Sequence, residues 1–224
     1  MPHNQQSNLT VKQQREARRA EKVAAMKQQQ STQKRNQLIG LIAAGAAAVA
    51  IVAVIIVVIV TSSTPRLAPA DIVIEGLEEF PGVPATHVDT AVDYEAEYGM
   101  NPPAGGDHSA AWLNCGVYSE PQPSENAVHS LEHGAVWVTY DPSEVDEAGV
   151  NALRDAVPST YIILSPYEGL PSPVVASAWG AQVALDSPSD ERLDLFIQKY
   201  WKSADAPEPG ALCTGAIDGP GRVS

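Results

Sequence analysis

The 224-residue sequence has no phosphate-cradling glycine loop, no Gly-x-Ser-x-Gly elbow and no internal repeat. The absence of these motifs excludes a P-loop nucleotide site, the nucleophile of an α/β-hydrolase and a repeat fold. Cysteine occurs only twice and histidine five times. Four of the histidines lie between residues 87 and 133, and none follows. This grouping of a scarce residue indicates a metal site or another polar site in that part of the chain.

Basic residues are scarce over most of the chain. After residue 60 there are six basic and 25 acidic residues, whereas the first 37 residues contain eight basic and two acidic ones. Because segments rich in Lys and Arg stay in the cytoplasm, this pattern predicts a cytoplasmic N-terminus. A short basic arm without a recognition fold is poor evidence for nucleic-acid binding, so we expect no nucleic-acid partner.

One long apolar run, from Leu38 to Val60, contains no charged residue. As a helix it would be roughly 35 Å long, enough to cross a hydrocarbon core of ~30 Å. A cleaved signal peptide has a shorter apolar region and a shorter basic lead. We therefore predict an uncleaved signal anchor in a single-pass protein of the cell membrane, with an extracellular or periplasmic C-terminal domain.

These features divide the chain into five predicted segments. They are a basic cytoplasmic arm that is largely disordered or helical (1–37), a transmembrane helix (38–60), a linker (61–70), an extracytoplasmic α+β domain (71–216) and a flexible tail (217–224). Cys115 and Cys213 are then on the oxidising side of the membrane, where an even cysteine count predicts a disulfide. The alternative is a Cys115 thiolate that binds a metal near His108.

The apolar patterns predict an α+β fold, with a mostly antiparallel sheet and two packed helices, preceded by the one transmembrane helix. The predicted strands cover residues 71–75, 86–95, 135–141, 161–164, 174–179 and 181–185. The predicted helices cover residues 142–156 and 189–201. Residues 98–108 contain two prolines followed by two glycines, which predicts a loop that ends on His108.

The histidine spacing favours a metal site. His129 and His133 are four residues apart and share a face in either a helix or a strand. With His108 or His87 they could form a site of three nitrogens, which suits Zn or Cu. Two acidic residues, Glu132 and Asp107, could ligate the metal or orient the imidazoles from a second layer, and Met100 would add a soft ligand for Cu(I).

Two other interpretations remain open. The string His129-x-x-Glu132-His133 matches a zinc-peptidase pattern, which would make the protein an exported metal hydrolase. That pattern requires one long helix, but Gly134 and a strand follow directly. Alternatively, the histidines are structural, and the domain is a non-catalytic accessory or interaction module of a cell-envelope complex. An enzymatic role is therefore uncertain and less favoured than binding.

Several motifs resemble a bacterial family, common in actinobacteria, known as domain of unknown function 3105. They are Asn101-Pro-Pro-Ala-Gly-Gly-Asp-His108, Trp112-Leu-Asn-Cys-Gly-Val-Tyr118, Asn126-Ala-Val-His-Ser-Leu-Glu-His-Gly-Ala-Val-Trp137, Leu164-Ser-Pro-Tyr167 and Ala178-Trp-Gly180. The resemblance extends from about Ile72 to Thr214. It departs from the family's usual Pro-Pro-Thr-Ser-Gly-Pro-His loop at Ala104, Gly105 and Asp107. Membership implies an anchored, exported domain and no established reaction.

Overall fold

A computed structural model describes residues 11–62 and 67–223. The chain divides into two compact units, Met1–Pro65 and Arg66–Ser224. Of the predicted segments, residues 1–10 of the basic arm and residues 63–66 of the linker lie outside the described residues.

The first unit contains one helix, α1 (Val11–Ser62), which includes the predicted transmembrane segment 38–60. The described residues include no helix that is both long enough and apolar enough to cross a membrane, so the predicted transmembrane helix is not found there. Within 38–60, the side chains of residues 43–44, 46–48 and 55–60 lie outside the described part of the chain.

The second unit is an α+β domain built on a six-stranded sheet. Its strands are β1 (Leu77–Glu79), β2 (Gly116–Val117), β3 (Val136–Tyr140), β4 (Ile162–Pro166), β5 (Val174–Ala178) and β6 (Ala181–Leu185). Their order across the sheet is β1-β6-β5-β3-β4-β2. The predicted hairpin around Gly180 is present as β5 and β6, and Gly180 takes a left-handed conformation with φ of 70°.

The prediction of a mostly antiparallel sheet is wrong, because the sheet is mixed. Strands β1, β6, β5 and β3 pair antiparallel, whereas β4 pairs parallel to both β3 and β2. The helix α4 (Glu147–Ala156) connects β3 to β4. Such a crossover returns the chain to the end of the sheet at which it began, which makes the two strands parallel.

The second unit contains more helices than the two that the sequence predicts. Two of them, α4 and α5 (Arg192–Tyr200), occupy the predicted regions, and α2 (Tyr94–Tyr98) and α3 (Ser124–Glu132) are additional. In α2 the carboxylate of Asp93 accepts a hydrogen bond from the backbone N–H of Ala96 at 3.0 Å, which caps the first turn.

Two predicted strands are wrong in their extent. Residues 71–75 form no strand, because a 3-10 turn covers Pro69–Asp71 and the following Ile72 and Ile74 are buried without joining the sheet. Residues 86–95 contain only an isolated parallel bridge between His87 and His108, and α2 begins at Tyr94. In both segments some apolar side chains, such as Ile72, Ile74 and Tyr94, are buried, but the backbone forms no strand of the sheet.

Both faces of the sheet are covered. On one face, helices α4 and α5 bury Leu153, Leu193 and Phe196 against inward-facing residues of β3 to β6. On the other face, α3 and the C-terminal segment enclose Trp137 and Ile163. The central strands β3 and β4 therefore contribute apolar residues in both directions, and the histidine-bearing helix α3 lies on the second face.

The predicted disulfide between Cys115 and Cys213 is present, with a Cα–Cα distance of 5.4 Å and a sequence separation of 98 residues. Because both sulfurs are bonded to each other, the alternative of a Cys115 thiolate ligand is excluded in this oxidised form. After the disulfide, the chain continues along the second face, where the N–H of Ser119 donates to the carbonyl of Gly221 and the N–H of Val223 donates to that of Val117.

Candidate metal centre

Helix α3 carries His129 and Glu132, and His133 is its C-cap. Its apolar residues Ala127, Val128 and Leu131 are completely buried, so the helix is held by packing. It ends because Gly134, with φ of 91°, adopts the left-handed conformation that closes many helices, and its N–H donates to the carbonyl of Leu131. The last turn of α3 thus presents two imidazoles and a carboxylate in the interior.

The other two histidines of the 87–133 region, His87 and His108, come from two segments that pair side by side. His87 and His108 form the parallel bridge, in which the N–H of His108 donates to the carbonyl of Thr86 and the N–H of Val88 donates to the carbonyl of His108. Their ring centroids lie 5.0 Å apart. The rings of His87 and His129 are stacked with centroids 4.9 Å apart, so the bridge brings both segments against α3.

Three of the four histidines are oriented in the same way. The Nδ1 atoms of His108, His129 and His133 lie 2.8, 2.7 and 2.6 Å from the backbone carbonyl oxygens of Gly106, Ser109 and Leu212, respectively. A carbonyl oxygen can only accept, so each Nδ1 carries the proton and each Nε2 carries a lone pair in the neutral ring. Metal-binding histidines are typically fixed by this kind of bond.

One set of donors, which we term the inner group, consists of His87, His108, His129 and Glu132. One ligand atom from each lies within 4.8 Å of all the others. Oε2 of Glu132 lies 2.9 Å from Nε2 of His108 and 3.9 Å from Nε2 of His87. Glu132 and His108 are almost completely buried, whereas the His87 side chain is 47 % exposed.

The two hydrogen-bond contacts of His108 require more protons than a neutral imidazole ring carries. Both ring nitrogens of His108 face acceptors, namely the carbonyl of Gly106 and the carboxylate of Glu132. A neutral imidazole has one N–H and can satisfy only one of them. The second contact needs either another proton or a cation between Nε2 and the carboxylate. Two ligands bound at ~2.0–2.1 Å to one tetrahedral zinc ion are about 3.3–3.4 Å apart, so the two atoms, now 2.9 Å apart, would have to separate by about 0.4 Å to bind the same ion.

A second set, which we term the outer group, consists of His129, His133 and Glu208. Its ligand atoms also lie within 4.8 Å of one another. Nε2 of the buried His133 lies 3.3 Å from Oε2 of Glu208, whose side chain is 53 % exposed. The backbone N–H of Glu208 donates to the carbonyl of Glu132 at 3.0 Å, which fixes the C-terminal segment against α3. His129 belongs to both groups.

Burial sets the protonation of His129. It lowers the pKa of this imidazole below the ordinary value, although the hydrogen bond to the Ser109 carbonyl acts in the opposite direction. The neighbouring His133 and His108 also lower the pKa of His129. A neutral imidazole is the form that binds metals, so the environment favours His129 as a ligand at neutral pH.

The remaining predicted residues are Met100 and Asp107. Met100 is buried, and its sulfur accepts a hydrogen bond from the N–H of Ala104 at 3.3 Å. Asp107 belongs to neither group, and its Oδ1 is buried without a hydrogen-bond partner among the described residues. Glu132, predicted as a supporting residue, has its carboxylate 2.9 Å from Nε2 of His108 and 3.9 Å from Nε2 of His87.

Glu208 of the outer group was not predicted, because it comes from a C-terminal loop without any local motif.

The zinc-peptidase interpretation lacks its structural context. That motif requires both histidines and the glutamate on one long helix. Here α3 has nine residues and His133 lies at its C-cap, outside the regular helix. Glu132 also faces Nε2 of His108 directly, so its carboxylate is engaged and is not free to activate water.

Fold and site together define an α+β domain in which histidine and glutamate side chains are placed to bind a metal ion. The chain belongs to the family described as "Protein of unknown function (DUF3105)", whose model matches residues 87–215, more than half of the chain. The matched segment contains every residue of the inner and outer groups and both cysteines. No curated protein and no solved structure matches the chain.

Proposed function

We propose that the C-terminal domain binds one divalent transition metal ion, with Zn²⁺ preferred, at the inner group. The observation that carries the proposal is the approach of three imidazoles and the Glu132 carboxylate to within 4.8 Å of one another in a largely buried site. Two of these imidazoles, His108 and His129, are held by backbone carbonyls in the tautomer that places the lone pair on Nε2.

The chemistry of the donors favours Zn²⁺ over Cu(I). Three nitrogens and one carboxylate oxygen suit a tetrahedral zinc ion, whereas Cu(I) prefers thiolate and thioether ligands. The sulfur of Met100 is occupied by the N–H of Ala104, and both cysteine sulfurs are in the disulfide. Cu(II), which accepts imidazole, is the second metal that the donor set supports.

The number of protein ligands supports binding over catalysis. A zinc ion with four protein ligands has no open position for water or substrate, as is typical of non-catalytic sites. The inner group offers four such ligands. We therefore propose a metal-binding module, and we do not propose a hydrolase.

The test is metal binding by the purified full chain after removal of metal with a chelator. We expect one equivalent of Zn²⁺ to bind, and His87→Ala to weaken binding at least about tenfold. His87 is the best first variant because its exposed side chain makes misfolding of the variant less of a concern. The matched control is Glu97→Gln, an exposed residue outside both groups.

The alternative function is that of an accessory or interaction domain with structural histidines. It is favoured by one observation, the three Nδ1 bonds to backbone carbonyls, which would orient the rings even without a metal. If the chelator-treated wild type takes up neither Zn²⁺ nor Cu²⁺ more tightly than the His87→Ala variant does, this alternative replaces metal binding.

We also propose that the domain lies outside the cytoplasm, attached through the apolar segment 38–60 with the basic arm inside. The disulfide supports an oxidising compartment, and the basic first 37 residues support a cytoplasmic N-terminus. An epitope placed after Ser224 should be accessible to antibody on intact cells or spheroplasts, and one placed before Met1 should not. The opposite labelling would reject this orientation.

A further inference from the structure

We infer that the outer group is an exchange position, through which a single metal ion enters and leaves the inner group. This inference rests on the proposed function, because it names a route to the same site. It is carried by the sharing of His129 between the two groups and by the contrast in exposure between Glu208 and Glu132.

His129 can serve one ion at a time. Its Nδ1 lies 2.7 Å from the carbonyl of Ser109, so Nε2 is the only nitrogen with a free lone pair. A lone pair of an imidazole nitrogen binds one metal. An ion in the inner group and an ion in the outer group would therefore compete for the same atom, and the two positions are occupied alternately.

The two positions differ in the charge that they present to solvent. Each group has one exposed member, but in the inner group it is the imidazole of His87, 47 % exposed, and in the outer group it is the carboxylate of Glu208, 53 % exposed, whereas the Glu132 carboxylate is 5 % exposed. An arriving cation first meets the carboxylate of Glu208, and Nε2 of His133 lies 3.3 Å from that carboxylate. The outer group is thus the position whose exposed negative charge first attracts a cation from solvent.

The two positions also differ in the number of ligands. The outer group provides three donors, so an ion there keeps at least one water molecule, whereas the inner group provides four. Transfer exchanges His133, Glu208 and the water for His87, His108 and Glu132, while Nε2 of His129 remains bound. The inner group is the tighter position, because no ligand there has to be supplied by solvent.

The geometry keeps the transfer short. The ring of His129 has centroid distances of 4.6 Å to His133 and 5.0 Å to His108. The N–H of Glu208 bonds to the carbonyl of Glu132, and the N–H of Lys202 bonds to the carbonyl of Gly134. These backbone bonds hold the C-terminal segment next to the end of α3, so neither group requires a rearrangement of the fold.

The experiment compares the kinetics and the equilibrium of zinc binding in the full chain. Stopped-flow transfer of Zn²⁺ from a chromophoric chelator measures uptake, and competition with the same chelator measures affinity. We expect Glu208→Gln to slow both uptake and release by about tenfold, with the equilibrium affinity unchanged within about twofold. The matched control is Glu144→Gln, an exposed glutamate outside both groups, which should keep wild-type rates.

Two results would overturn the inference. One is the binding of two zinc ions per chain at saturation, because His129 would then not be limiting. The other is an uptake rate of Glu208→Gln equal to that of Glu144→Gln. Either result leaves the proposed function intact if His87→Ala still weakens binding. The absence of any zinc binding by the wild type would instead reject the proposed function itself.

Discussion

Nε2 of His108 lies 2.9 Å from Oε2 of Glu132, and the two side chains are 0 % and 5 % exposed. Since Nδ1 of His108 is already bonded to the Gly106 carbonyl, a neutral ring and an ionised carboxylate leave this contact without a positive group between them. A proton and a metal ion therefore compete for the same place.

The substitution Glu132→Gln should separate metal binding from structure. The amide of Gln can donate to Nε2 of a neutral His108, so the metal-free protein should keep its free energy of unfolding within about 1 kcal/mol. Its affinity for Zn²⁺ should fall at least about tenfold, because the charged ligand is lost. Urea unfolding and chelator competition measure the two quantities.

The control for this substitution is Glu132→Ala, which leaves Nε2 of the buried His108 without a partner and should destabilise the protein by about 1–3 kcal/mol. If Glu132→Gln were as destabilising as Glu132→Ala and bound Zn²⁺ like the wild type, the pair would have a structural role only.

The pKa of His129 predicts a pH dependence of stability in the metal-free protein. Its pKa is lower in the folded state than its ordinary value of 6.5, so the unfolded chain binds this proton more readily. Stability should therefore fall as the pH decreases below about 6.5, and this loss should level off below the folded-state pKa.

The measurement is the unfolding midpoint in urea across this pH range, with His129→Gln as the comparison. The variant should lose less stability on acidification than the wild type, because it lacks the titrating group. Equal slopes in the two proteins would contradict the assignment of this effect to His129.

The disulfide should make a large contribution to stability. It closes a loop with a sequence separation of 98 residues, and in the chain-entropy model such a loop contributes about 4–5 kcal/mol. The double variant Cys115→Ser/Cys213→Ser should lose a free energy of this size in urea unfolding, and the wild type under reducing conditions should match it. A loss below about 1 kcal/mol would show that the unfolded chain is not constrained by this bond.

The loop before His108 should tolerate no side chain at Gly106. Its φ is 102°, and a Cβ there would lie 2.6 Å from the ring of Tyr98. The substitution Gly106→Ala should therefore displace the carbonyl that orients His108 and weaken zinc binding, with a loss of stability of about 1–3 kcal/mol or more.

Gly169→Ala provides the matched control for Gly106→Ala. Gly169 also has a positive φ, 75°, but a Cβ at this position meets nothing within 4 Å. Its substitution should introduce backbone strain without a clash and leave zinc affinity unchanged. Equal zinc affinities for the two variants would mean that the Gly106 carbonyl does not orient His108 for metal binding.

Local patterns predict the elements of the sheet better than its pairing. The hairpin of β5 and β6 could be predicted because apolar segments flank Gly180 closely, and the disulfide could be predicted from an even cysteine count. The parallel direction of β4 could have been predicted, because the helix over residues 142–156 lies between two predicted strands. The direction of β2 could not, because this strand has only two residues and no local pattern. Alternation at Ile72 and Ile74 correctly indicates burial, but it does not show whether the backbone joins a strand.

The candidate site could also be predicted only where its residues are close together in the sequence. The sequence groups His129 and His133 with His108 or His87, whereas the structure places both His87 and His108 with His129 and Glu132, and places His133 with His129 and Glu208. Spacing along the chain could indicate that His129 and His133 share a face. It could not indicate the parallel bridge that brings His87 to His108, nor the loop that brings Glu208 from the C-terminal segment.

The two edges of the sheet are short, since β1 has three residues and β2 has two. An edge of this length exposes few unpaired N–H and C=O groups, so it offers little template for a strand from another molecule. Aggregation through edge-to-edge pairing is disfavoured for the same reason. Recognition of another protein by this domain would therefore depend on its loops and helices, where acidic residues greatly outnumber basic ones after residue 60.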